Sequence, residues 1–157
     1  MKINIISVGK LKEKYLADAI AEYTKRLGRF CSVNHINIPD IKIPDNASEA
    51  ECEKIINDEG DAILKKIGRE TVIAMCIEGK QLKSEDFALL LETTFRESST
   101  ITFVIGGSLG LSAAVKARAD IRLSMSEMTL PHQLARLFLI EQIYRAFKIN
   151  SNEKYHK

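Results

Sequence analysis

The sequence predicts an α/β domain with a mainly parallel sheet and helices on both faces. Three observations predict it. Five short runs rich in β-branched residues occur at 2–8, 33–38, 71–77, 100–105 and 121–125. The segments between them carry apolar residues at helical spacing. The fourth run ends on paired glycines, as strands do where a parallel sheet meets a ligand or a tight turn. Strands that alternate with helices build crossover units and therefore parallel pairs. The 157 residues make a single domain, 1–157, long enough to bury a core.

The first strand, 2–8, is an Ile- and Val-rich run that ends at Gly9. Residues 12–29 put Leu16, Ile20, Tyr23 and Leu27 on one stripe, with charges opposite. Residues 33–38 alternate and form the second strand, with His35 facing solvent. Two prolines mark 39–47 as a loop. Ser48 and Glu51 form a capping box that opens a helix. Cys52, Ile55, Ile56, Ala62, Ile63 and Ile67 face inward, and the acidic face is solvated. A third strand at 71–77 ends in a turn at Glu78-Gly79-Lys80. Ser84 caps a helix that carries Phe87, Leu90, Leu91 and Phe95. After the fourth strand come a short helix at 112–119 and the fifth strand. A long helix runs from Pro131 to Ile149, with Pro131 in its first turn. Residues 150–157 form a polar tail.

Composition narrows the function. Lys and Arg number 23 and Asp and Glu 21, too even for a strongly basic nucleic-acid binder. The charge is unevenly placed, however. Residues 1–30 hold seven bases and three acids, and 136–157 hold five bases and two acids. Residues 40–61 hold eight acids and two bases. RNA, if bound, should meet the ends. Phosphate contacts from Lys10, Lys12, Lys14, Arg145, Lys148, Lys154 and Lys157 would supply affinity, while Lys10 to Lys14 read equally as a solvated helix start. The acidic segment should face away. Cys31, Cys52 and Cys76 are odd in number and widely spaced, which argues against a disulfide framework or a metal centre. Cys52 and Cys76 read as small core residues. No membrane span or signal peptide is evident, and a cytoplasmic location is expected.

Two loops can carry chemistry. Gly106-Gly107-Ser108-Leu109-Gly110 has neither dinucleotide-binding nor Walker spacing. It reads equally as a tight turn or as a loop admitting a ligand to backbone N–H groups. Met125 to His132 joins a strand end to a helix start. It can present backbone groups to a flat ligand, or be an ordinary connection.

The stretches VIGGSLGL, LSMSEMTLPHQLARLFLIEQIYRAFKI and the terminal YHK, with ISVGKLKEKYLADAIAEYTKRLGRF near the start, resemble one family over nearly the whole chain. It is the bacterial ribosomal RNA large subunit methyltransferase H family, of the SPOUT class. The resemblance implies a deep trefoil knot near the C-terminus, a rare exception to un-knotted topology. It implies a homodimer without metal that uses S-adenosylmethionine to methylate N3 of a pseudouridine in helix 69 of 23S rRNA. It also implies that the substrate is the assembled 70S ribosome. By position, Met75, Gly106, Met125, Ser126, Glu127, Met128, Thr129 and Leu130 would form the cofactor pocket. Arg145, Tyr155 and His156 would serve substrate binding or catalysis. Glu127, Leu109 and the pair Glu153-Lys154 depart from the family's usual residues.

N3 of pseudouridine is a nucleophile only as its proton leaves. His156 titrates in the useful range and is the expected acceptor, with water as the alternative. Tyr155 would stack on the base or bond to it. His132 is expected to serve the helix start. The last helix is apolar on more than one face, as a helix between a sheet and a second copy would be. Two other classes fit the same fold: a non-enzymatic ribosome-binding factor and a nucleotide-binding regulator.

Overall fold

The computed structural model describes residues 1–155. In chain order the elements are β1 (Lys2–Val8), α1 (Lys14–Leu27), β2 (Ser32–Ile38), α2 (Glu49–Leu64) and β3 (Thr71–Gln81). They continue with α3 (Ser84–Glu97), β4 (Thr100–Ile105), α4 (Ala113–Arg118), β5 (Ile121–Ser124) and α5 (His132–Asn150). The five strands form one sheet in the order β2-β1-β4-β3-β5. Every neighbouring pair is parallel. All carboxyl ends therefore meet one edge, where α/β sheets bind ligands.

Alternation along the strands divides the core in two. Ile3, Ile5, Ile73, Ile101 and Phe103 face one layer, with Leu139, Ile140 and Ile143 of α5. There α5 packs against both α1 and α3. Ile6, Val8, Val72, Ala74 and Val104 face the other, with Ile63 of α2 and Val115 of α4. Phe103 is wholly buried, as a strand covered on both faces requires. The stripe of α1 is as expected, with Leu16, Ile20 and Leu27 buried. The capping box also forms. The Glu51 N–H donates to Ser48 Oγ at 3.3 Å and the Ser48 N–H to Glu51 Oε2 at 2.8 Å. Such a cap contributes about 1 kcal/mol.

Several expectations are corrected. β3 does not end at residue 77 but runs to Gln81. It pairs with β5 up to Met75, arches away, and rejoins β5 at Lys80. Gly79 makes that return possible, because a Cβ there would lie 2.4 Å from the Leu123 carbonyl carbon. The expected turn at 78–80 is thus an arch within a strand. Ser84 is not a cap. Its hydroxyl donates to Gln142 Oε1 on α5 at 3.0 Å, and Lys83 holds the N-cap position. Pro131 likewise sits at the N-cap of α5, one position before the helix. The acidic face of α2 is not wholly solvated: Glu59 is buried, and its Oε1 accepts the Ile41 N–H at 3.0 Å. Of the cysteines, Cys31 is the buried one, and Cys52 and Cys76 are half-buried. His35 is half-buried and bonds through Nε2 to Thr24 Oγ1 at 2.9 Å. Burial and the nearby Arg136 push its pKa down.

Candidate active site

A cleft of about 720 Å³ opens at the carboxyl edge of β3, β4 and β5. Small-molecule sites span roughly 300–1,000 Å³. Three loops and two helices build it. The first is the arch of β3, from Met75 to Glu78. The second is the glycine turn after β4, from Ile105 to Leu111. The third is the loop after β5, contributing Met125, Ser126 and Met128 to Pro131. Lys116 of α4, and His132 and Ala135 of α5, close the sides.

The glycine turn is compact because the chain doubles back on itself. The Gly110 N–H donates to the Gly107 carbonyl at 3.0 Å. A Cβ at Gly106 would lie 2.6 Å from the backbone of Gly110, so no larger residue fits without moving the turn. The loop after β5 is braced by its own serines. Ser124 Oγ donates to the Ser126 carbonyl at 3.0 Å, and the Met128 N–H donates to Ser126 Oγ at 3.0 Å. These bonds leave the Met128 side chain 78% exposed at the rim. Two backbone-rich loops and apolar Met75, Leu111 and Leu130 suit a flat, apolar group with polar edges. Adenosine is such a group, and the residues present fit it.

The eight residues expected to hold a cofactor come together with one exception. Met75, Gly106, Met125, Ser126, Met128, Thr129 and Leu130 line the same cleft. Glu127 is exposed and is not among the lining residues. A smaller cavity of about 150 Å³ adjoins it and shares Met75, Ser124 and Met125. Sequence reasoning missed Glu78 and Lys116 at the cleft. The signal for Glu78 was Gly79, which marks an arch as readily as a turn.

The tail forms a separate cluster. Tyr155 OH donates to Glu141 Oε1 at 3.1 Å, and the same oxygen accepts from the Arg145 guanidinium at 2.6 Å. That guanidinium lies 4.9 Å from the centre of the Tyr155 ring. The Tyr155 ring also meets Tyr144 edge-on at 5.0 Å. Burial, then contact with Tyr23 and the Glu141 charge, push the Tyr155 hydroxyl's pKa well up. Glu141 holds Arg145 more firmly protonated than usual. Glu153 anchors the tail through Arg29 and Lys148. His156, the expected proton acceptor, lies outside the described residues.

The two clusters are apart within one chain. The cleft touches α5 at Ala135, and the tail packs on it at Glu141 and Tyr144. At 1.5 Å per residue that is about 9–14 Å along the helix. Arg145 and Tyr155 are therefore not brought against the cleft lining of their own chain.

His132 lies between the cleft and a buried polar region. The Glu59 carboxylate approaches Gly107 from behind, and burial followed by the Asp40 charge raises its pKa. Arg136 is 3% exposed and donates to the Gly9 carbonyl at 3.1 Å and to Asn37 Oδ1 at 2.5 Å. It ties α5 to the ends of β1 and β2. Among the described residues no His, Cys, Asp and Glu cluster is placed to hold a metal ion. No helix among them is long and apolar enough to cross a membrane.

Residues 1–156 match the family described as "Predicted SPOUT methyltransferase". The chain is 59% identical to a protein of Streptococcus thermophilus named ribosomal RNA large subunit methyltransferase H, with all of both chains covered. Proteins of that name in Streptococcus sanguinis and Leuconostoc mesenteroides are 58% and 57% identical, again over all of both chains. Among solved structures, a probable methyltransferase from Bordetella pertussis is similar at TM-score 0.57 and 12% identity. That match covers 92% of this chain and 95% of the other. A probable methylase family protein from Haemophilus influenzae matches at TM-score 0.54 and 15% identity, over 99% and 70%. These two likenesses concern the fold.

Proposed function

The chain belongs to the SPOUT methyltransferase family, and on that premise we propose that it methylates ribosomal RNA of the large subunit using S-adenosylmethionine. The observation that carries this is the cleft where the glycine turn and the loop after β5 converge at the sheet's carboxyl edge. The target we infer is N3 of a pseudouridine in helix 69 of 23S rRNA, in the assembled 70S ribosome of the cytoplasm.

S-adenosylmethionine, when bound, supplies an electrophilic methyl group on a sulfonium. The chain's own work is to position and to move a proton. Gly106 lets the turn close, so that backbone groups and apolar side chains can hold the adenosine. Met75, Met125 and Leu130 exclude water from it. Alignment of nucleophile and methyl carbon is the main source of rate. Arg145 and Tyr155 orient the base, with Glu141 orienting both. His156 takes the N3 proton as the imide becomes a nucleophile.

The homodimer belongs to the same reading. Leu134 and Phe138, one turn apart on α5, are 42% and 41% exposed while the opposite face of the helix is core. A second copy would cover them. Docking of the tail about 9–14 Å along α5 from its own cleft supports completion of each site by the other copy's tail. The family's knot would thread the segment between β5 and α5. The basic ends face RNA in this reading, except Lys148, which is buried against Glu153, and the exposed acids of the 40–61 segment face away.

The test uses labelled S-adenosylmethionine and ribosomes from a strain lacking the activity. One modified pseudouridine in the large subunit is expected on mapping. Absence of label overturns the methyltransferase reading. Label in a different nucleoside overturns the position alone.

A further inference from the structure

The arch in β3 carries Glu78 to the mouth of the cleft, opposite Lys116 of α4. Lys116 Nζ lies 2.5 Å from Glu78 Oε1. Among the described residues these are the acidic and the basic side chain that line the cleft. The rest of the lining is apolar, hydroxyl, thiol, imidazole or backbone. The pair is built with some care. Gly79 returns the strand against the Leu123 backbone directly after Glu78. On the other side Arg122 Nε donates to the Lys116 carbonyl at 3.0 Å, fixing the end of α4.

One anion and one cation at the rim of an otherwise uncharged cavity complement an amino-acid zwitterion. The lysine ammonium suits a carboxylate, and the glutamate carboxylate suits an ammonium. The pair is also cheap to open. Glu78 is 53% exposed and Lys116 28%, and an ion pair so exposed contributes little in water. Contacts between each partner and a ligand charge would replace it one for one with bonds that are charge-assisted as well.

We propose that Glu78 and Lys116 form the subsite for the α-amino and α-carboxylate groups of the cofactor's amino-acid end. The proposal rests on the S-adenosylmethionine reading above and assigns it two residues. The uncharged interior then takes the adenosine, and the rim takes the charge.

Calorimetry on the full chain tests this with two ligands, S-adenosylhomocysteine and 5′-methylthioadenosine. They share adenosine and a thioether and differ in the amino-acid end. The parent protein is expected to bind S-adenosylhomocysteine at least about tenfold more tightly. Lys116→Met and Glu78→Gln should each weaken that ligand about tenfold and leave 5′-methylthioadenosine unchanged. Lys116→Arg keeps the charge and should retain most of the affinity. Unchanged S-adenosylhomocysteine affinity in both variants overturns the subsite. So does an equal loss on both ligands, or a Lys116→Arg variant as weak as Lys116→Met. If the parent binds neither ligand, the cofactor reading fails and takes the subsite with it.

Discussion

Gly106→Ala isolates the glycine turn. The added Cβ would lie 2.6 Å from both the carbonyl carbon and oxygen of Gly110, and 3.1 Å from the Leu111 nitrogen. Ordinary contacts begin at 3.4 Å, so the two backbone segments must part by about 0.8 Å. No flexible side chain can absorb that shift. The Gly106 φ is not in the left-handed region, so alanine adds a clash without backbone strain. Overpacking of this kind costs typically 1–3 kcal/mol. Taking about 2 kcal/mol, the melting temperature should fall by roughly 4–8 °C for a domain of this size. Parting the turn also moves one wall of the cleft, so S-adenosylhomocysteine should bind about tenfold or more weakly, about 1.4 kcal/mol. Thermal melts and calorimetry on the same preparation read both effects. A variant that melts and binds like its parent would refute the close approach and the role given to the turn.

Glu59→Gln should raise the melting temperature at neutral pH. The folded carboxyl has a pKa above its ordinary 4.5, so ionisation opposes folding. The unfolded chain binds fewer protons than the folded one between the two values, and stability falls as pH rises through that window. Glutamine keeps an acceptor for the Ile41 N–H. The gain should therefore shrink as pH falls below 4.5, and a pH-independent gain would count against burial as its cause. Phe138→Glu places a charge on the exposed stripe of α5. Light scattering should show a dimer for the parent and a monomer for the variant, and equal masses would remove this face from the interface.

Local signals were legible and non-local ones were not. β1 and β4 are near-continuous apolar runs because both faces are covered, and their bounds could be read directly. The Ser48 box needs only residues three apart. Ser84 has the same look but spends its hydroxyl on Gln142, 58 positions away, which no local pattern reveals. Glu59 sits on an acidic helix face and looks solvated until the chain at Ile41 folds over it. The cleft followed the same division. Gly106 and the 125–130 loop stand out as turn chemistry. Glu78 and Lys116 are ordinary surface charges until β3 arches and α4 is placed across from it. Tyr155 and Arg145 were named by resemblance alone, and their shared partner Glu141 was not named.

The bond from Arg136 to the Gly9 carbonyl spans 127 positions. β1 also pairs with β4, whose first residue lies 98 positions beyond its own. A chain made from its amino end thus completes its first strand early and cannot finish placing it until late. Contacts of such long sequence separation slow folding. The glycine turn, the loop after β5 and the helix that braces them leave the ribosome after β1, β2, β3 and β4. The protein thus gains its cleft only once the start of α5 has been synthesised. A chain cut before α5 would hold all five strands yet leave the core layer under Leu139, Ile140 and Ile143 open to water.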